Sequence, residues 1–209
     1  MKSLFPKFVA AMLILCSALM LCGCFFLHPR YDPKMPVSSV LGSPLVTGKW
    51  DDDVFLNEWT GISFTLPPGF WAEEEQTKIQ GEYANDFLLY HDDYPDIVIS
   101  LSYFDVTQGE RREHTAEDYL NSSRRSLENN AIGREFIFKD KLTTATIAGW
   151  EYVKMSGVFV NTEDETQTEY NIDRYAYRWV GTMVVVVAMY DKENIGIVKD
   201  FLSSVENTL

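Results

Sequence analysis

Three long segments near the C-terminal end constrain this fold most. Trp150 to Val160, Glu169 to Val180 and Met183 to Tyr190 read as strands, and only Gly149, "NTEDETQ" and "GT" serve as connections. Links that short join antiparallel neighbours, because a parallel pair needs a crossover of a dozen or more residues. "MVVVVAM" is apolar on both faces, which predicts a central strand covered on both sides.

Further strands precede these. Gly61 to Leu66 places Ile62, Phe64 and Leu66 on one face and stops at Pro67, Pro68 and Gly69. Asp86 to Tyr90 and Asp96 to Phe104 follow, with the turn residues of "HDDYP" between them, and Arg134 to Lys139 and Ala145 to Ile147 are also strands. Thr115 to Asp118 has the spacing of an N-terminal cap, opening a helix on which Ala116, Tyr119, Leu120, Ser123 and Leu127 recur. Arg124 and Arg125 are expected at its solvated edge. Asp191 is expected to cap a C-terminal helix with the stripe Ile195, Val198, Leu202 and Val205, packed across the sheet. The expected class is α+β: a mainly antiparallel sheet of about six or seven strands with two helices packed on it.

All three cysteines, Cys16, Cys22 and Cys24, fall at the other end of the chain. Lys2 and Lys7 precede or border an apolar run from Phe8 to Leu21, and no acidic residue comes before Asp32. That is the pattern of a secretory signal. A membrane span is the competing reading, since about 20 apolar residues cross a bilayer. The tail Leu21, Cys22, Gly23, Cys24 argues against it, because it resembles the lipobox of bacterial lipoproteins. The resemblance implies a signal at residues 1–23, a lipid on Cys24, and anchoring to the extracytoplasmic face of a bacterial cell membrane. Two acyl chains, each contributing about 0.8 kcal/mol per buried methylene, would hold it there durably. The exported part then has no thiol for disulfides, thiolate catalysis or metal ligation.

Without Lys2 and Lys7 the 18 basic residues become 16 against 31 acidic, a net charge of −15. Such a surface repels nucleic acid and anionic headgroups, so nucleic-acid binding is excluded and membrane attachment falls to the lipid on Cys24. Residues 24–47 combine that cysteine with a tether containing Pro29, Pro33, Pro36 and Pro44. As a flexible coil such a tether spans roughly 25 to 30 Å, and its prolines extend it further. Residues 48–209 form one domain.

Three short motifs in this domain are "NEWTG" before the first strand, "LPPG" at its end, and the Gly149–Trp150 step before a long strand. With their surroundings, "GKWDDDVFLNEWTGISFTLPPGFW" and "IAGWEYVKM", and the ending "FLSSVEN", they resemble uncharacterised lipoproteins of Gram-positive bacteria with a PsbP-like fold. That fold is shared with the photosystem protein PsbP and with a eukaryotic Ran-binding import factor. The resemblance implies a protein-binding scaffold and supplies no catalytic motif.

Chemistry is sparse in the residues themselves. His91 and His114 are the only histidines of the domain, each beside turn or helix-start residues, and both read as surface histidines. A Ser–His–Asp set using Asp92 or Asp93 lacks any nucleophile elbow. Asp51, Asp52 and Asp53, and Glu163, Asp164 and Glu165, do not alternate as a calcium loop requires and read as solvated. No catalytic residue, metal or cofactor is therefore expected. The candidate binding residues are Tyr175, Tyr177 and Trp179, which share one strand face opposite Tyr170, Ile172, Arg174, Ala176 and Arg178. An exposed row would be a platform for sugar or an anchor for a protein; a core row would lie under the C-terminal helix. The expected function is a non-enzymatic module binding a protein or envelope component, with a small-ligand or glycan-binding lipoprotein as the alternative and an envelope hydrolase third.

Overall fold

The computed structural model describes residues 45, 47–73, 78–80, 83–106, 114–130, 133–162, 168–179 and 181–208. Cys24 with its leader and most of its tether, and the acidic stretch Glu163 to Glu165, lie outside the described residues. Three short strands open the fold: β1 (Lys49–Asp51), β2 (Val54–Asn57) and β3 (Ile62–Thr65). Then come β4 (Phe70–Ala72), β5 (Lys78–Gln80), β6 (Tyr83–His91), β7 (Val98–Asp105) and the helix α1 (Ala116–Asn129). The chain continues through β8 (Arg134–Phe138), β9 (Thr143–Ile147), β10 (Trp150–Asn161), β11 (Glu169–Trp179) and β12 (Thr182–Tyr190). It closes with α2 (Ile195–Ser204) and β13 (Glu206–Asn207).

The class is α+β and mainly antiparallel. A nine-stranded sheet runs in the order β4-β6-β7-β12-β11-β10-β8, with β5 beside β6 and β9 beside β10; a second sheet of four strands runs β1-β2-β3-β13. The strand count exceeds the expected six or seven, and most of the excess is β1, β2, β4, β5 and β13, which have only two to four residues each, too few to show a period.

The large sheet is covered on both faces. One face packs against the small sheet and α2, joining Phe55, Ile62 and Phe64 to Val198, Phe201 and Leu202. The other packs under α1 through Leu120 and Leu127. β12 shows why both covers form: Val184, Val186, Ala188 and Tyr190 enter the first cluster, and Met183, Val185, Val187 and Met189 the second. Burying each such side chain contributes about 1.5–3 kcal/mol, so a strand apolar on both faces requires both layers.

Thr115 caps α1 as its spacing predicts: its Oγ1 accepts the Asp118 N–H at 3.1 Å while an Asp118 oxygen accepts the Thr115 N–H at 3.0 Å. Arg124 departs from expectation. Its Nη2 donates to the Lys139 carbonyl at 2.6 Å, fastening the helix to the chain beyond β8 rather than facing solvent freely. The C-terminal stripe is also shifted. Asp191 caps a single 3-10 turn, Lys192–Asn194, ahead of α2. Ile195 therefore starts the helix, where it is 40% exposed, and Phe201 takes the buried place beside Val198 and Leu202. Leu45, within the segment read as tether, is buried in the core.

Candidate binding site

Two of the three short motifs, "NEWTG" and the Gly149–Trp150 step, are turns that each fix a wall of one small depression. In "NEWTG", Asn57 Oδ1 accepts the N–H groups of Trp59 and Thr60 at 3.0 and 3.1 Å, and its carbonyl accepts the Gly61 N–H at 2.8 Å. Gly61 has φ +71°, a conformation that costs a side-chain-bearing residue. Asn57 is held in turn by Asp86, whose Oδ2 accepts from Asn57 Nδ2 at 2.9 Å.

Asp86 reaches this position through a bulge. Asn85 pairs with Ser102 and Phe87 with Leu101, so Asp86 is the extra residue of β6 and both it and Phe87 turn toward the small sheet. Its Oδ1 accepts the Gly48 N–H at 2.6 Å, and its Oδ2 accepts the Tyr103 hydroxyl. Burial pushes the Asp86 carboxyl up to about 6, with the donors Tyr103, Asn57 and Gly48 pulling the other way. One buried acid thus ties the start of the domain, the "NEWTG" turn and the large sheet together.

The opposite wall comes from the β9–β10 hairpin. Ile147 pairs with Trp150, leaving Ala148 and Gly149 as a two-residue loop with φ +50° and +75°. Both signs are those of a type I′ turn. This turn sets Trp150 at the first position of β10. From β11 come Tyr177 and Trp179. The Trp150 ring stacks on Tyr177 at 5.2 Å and 26°, lies 5.2 Å from Trp179 at 59°, and Tyr152 is 5.4 Å from Tyr177.

Thr60, Ile62, Trp150, Tyr152, Tyr177, Trp179 and Val184 line a shallow depression that opens to solvent. Its rim is set by where the cover ends, because the β2–β3 turn reaches only as far as Thr60 and Ile62. Trp150, Tyr177 and Trp179 are half-buried, whereas Tyr152 and Tyr175 are core.

The sequence-derived row is thereby divided. Tyr175 belongs to the interior, with Lys154 Nζ 5.2 Å above its ring and its hydroxyl 3.3 Å from Asp173 Oδ2. Asp173 also accepts from Ser156 at 2.5 Å, Tyr190 at 2.7 Å and Lys154 at 2.8 Å. Burial raises its carboxyl, but Lys154, Ser156 and Tyr190 outweigh that and hold it below the usual carboxylate range. Tyr177 and Trp179 reach the depression. Trp150 and Thr60 were not singled out as site residues, although both stand inside the quoted motifs.

The two histidines are set apart from the depression. His91 is buried, not at the surface, because Phe70 and Tyr94 enclose it with ring centroids 4.9 Å away in each case. Its Nδ1 accepts the Asp93 N–H at 3.2 Å, so the nitrogen a triad aspartate would hold already receives a backbone proton. His114 stands at the start of α1, its carbonyl accepting from Arg178 Nη1 at 3.0 Å. Asp51, Asp52 and Asp53 are exposed around the β1–β2 turn. Among the described residues no three His, Cys, Asp or Glu converge as metal ligands. Among the same residues no helix is long and apolar enough to cross a membrane.

Fold and site together define an α+β domain, mainly antiparallel, with an aromatic ledge at the edge of one covered face. No protein-family model and no curated protein sequence matches the chain. Among solved structures it is similar to cyanobacterial PsbP from Synechocystis sp. PCC 6803, with 14% identity and a TM-score of 0.45 over 83% of this chain and 99% of that one. It is also similar to LpqN, involved in cell envelope biogenesis of Mycobacterium tuberculosis, with 13% identity and a TM-score of 0.44 over 71% and 83% of the two chains. A third likeness is to the Ran-binding protein Mog1p of Saccharomyces cerevisiae, with 12% identity and a TM-score of 0.38 over 74% and 83%.

Proposed function

We propose that this chain is a lipid-anchored, extracytoplasmic module of a bacterial envelope that binds another protein through the ledge of Trp150, Tyr177 and Trp179. The observation that carries the reading is the partial exposure of three large rings at one place. Full burial of each would add stability, and aromatic anchors left at a surface are what protein interfaces use as hot spots.

The shape favours a protein contact over an enclosed ligand, because the depression is shallow and open to solvent, whereas small-molecule sites are clefts that bury most of their ligand. The glycan reading needs a flat ring face, and Trp150 and Tyr177 stack on one another. The net charge of −15 after loss of the signal suits a partner with a basic rim. Anchoring rests on Cys24 and the tether.

The test is a photo-crosslinking residue at Trp179 in the full chain on intact cells, with the same residue at exposed Glu135 as control. The reading expects one adduct specific to position 179 that is lost when Trp150→Ala is added. Adducts indistinguishable from those at 135 would sink it.

A further inference from the structure

Beneath α1 the sheet buries one charged side chain among apolar neighbours. Register places Met155 and Val187 on the two sides of Arg174, and Ile172 and Ala176 share its face along β11; all four are buried. Arg174 itself is 2% exposed, and its Nε and Nη1 have no hydrogen-bond acceptor. The polar neighbours that act on its guanidinium are the phenols of Tyr119 and Tyr83. The ion pair of Lys154 with Asp173 lies on the opposite face, and the groups that act on Arg174 include no carboxylate.

A guanidinium does not shed its proton, and an unpaired buried charge costs several kcal/mol even after relaxation. The helix that covers it brings a further donor to the same interface. Ser123 follows Tyr119 by one turn on the buried face of α1, is 1% exposed, and its Oγ has no hydrogen-bond partner. Further along the same sheet face, Ser102 Oγ donates to Asn85 Oδ1 at 2.7 Å, with the Tyr83 hydroxyl 3.4 Å from Ser102. Guanidinium N–H groups and hydroxyls with no carboxylate among them are the donor set of an anion site. The packed shoulders of Met155 and Val187 restrict it to a small ion.

We propose that Arg174, with Ser123, binds a halide-sized inorganic anion between α1 and the large sheet, and that this ion fastens the helix to the sheet. The site lies on the face opposite the aromatic ledge and is independent of it.

The experiment compares thermal unfolding of the full chain, in mild detergent, in sodium chloride and in sodium gluconate at equal ionic strength. Chloride is expected to raise Tm saturably, on the order of 5 °C at a hundredfold excess over Kd. Arg174→Met is expected to abolish the chloride dependence. Ser123→Ala, which removes only a hydroxyl, is expected to keep the fold and raise the half-saturating chloride concentration several-fold. Bromide-soaked crystals of the unaltered chain, which need no variant to fold, are expected to show an anomalous peak at hydrogen-bond distance from Arg174. Superimposable unfolding in the two salts, a chloride shift undiminished in Arg174→Met, or bromide bound only elsewhere would each overturn the proposal.

Discussion

Asp86 accepts the hydroxyl proton of Tyr103 across adjacent strands, at the one bulge in the β6–β7 ladder. The bulge aims the carboxylate at Asn57 and Gly48 as well, so a single buried acid organises the turn that carries Thr60. Its carboxyl, raised by burial to about 6 from 3.8, makes stability fall as pH rises. Between those values the folded state holds a proton that the unfolded chain has lost, and above about 6 that advantage is gone. The shift corresponds to at most about 3 kcal/mol. Asp173 is shifted the opposite way, so its contribution varies only toward the acid end of this window. Urea unfolding at pH 4.5 and 7.0 is expected to show Asp86→Asn losing most of that slope relative to the unaltered chain. Parallel pH profiles for the two proteins would contradict the assignment.

Two glycines are expected to respond to alanine with opposite signs. A Cβ on Gly157 would sit 2.6 Å from the Ile137 carbonyl and 3.0 Å from the Phe138 Cα, so β8 must move. Overpacking of that kind costs about 1–3 kcal/mol. A Cβ on Gly196 meets nothing within 4 Å, and the residue lies in α2. Gly196→Ala is therefore expected to stabilise by about 0.5–1 kcal/mol through helix propensity. Denaturant midpoints of both variants at one pH decide the pair.

What could be read in advance followed the length of each element. β10, β11 and β12 were legible because nine or more residues of alternation leave little choice of register, and α1 because its cap and stripe agree. β4, with three residues, was not legible, and His91 was misread for that reason: Phe70 on β4 is what encloses it. The site behaved likewise. Strand parity put Tyr175, Tyr177 and Trp179 on one face, but parity does not say how far a cover extends. Tyr175 falls inside the covered core, and the two half-exposed rings fall at the rim that Thr60 and Ile62 line. Trp150 joins them through the pairing of β10 with β11, a contact between residues distant in sequence.

Lys154 and Asp173 provide a second acid, with the opposite linkage. Asp173 is held below the usual carboxylate range, so its stabilisation is present above about pH 4 and is lost as pH falls through its lowered value. Lys154→Met removes the charged partner at 2.8 Å but leaves Ser156 and Tyr190 as donors. A loss of about 2 kcal/mol at pH 7 is expected, less than a fully buried pair would give because Lys154 is part-exposed. At pH 2, where the carboxyl is closer to neutral in both proteins, the difference should shrink. A constant difference at both pH values would mean that packing of the lysine stem, not its charge, accounts for the loss.

Trp179 and Tyr175 lie on the same face of β11 and should separate binding from stability. Tyr175 is core, and removing its ring would leave a cavity; Tyr175→Ala is expected to cost about 3–5 kcal/mol. Trp179 is half-exposed at the rim of the depression and packs on Trp150 along one side. Trp179→Ala should cost much less, about 1–2 kcal/mol for the buried part of its surface. If the ledge is the recognition surface, this variant loses partner crosslinking while it stays folded, with an unfolding midpoint well above that of Tyr175→Ala. Tyr175→Phe, which keeps the ring, should retain crosslinking. A Trp179→Ala variant that crosslinks from a neighbouring position as before would make the exposed rings incidental, and the search for the contact surface would move to the edge strand β8, where Ile137 is 53% exposed.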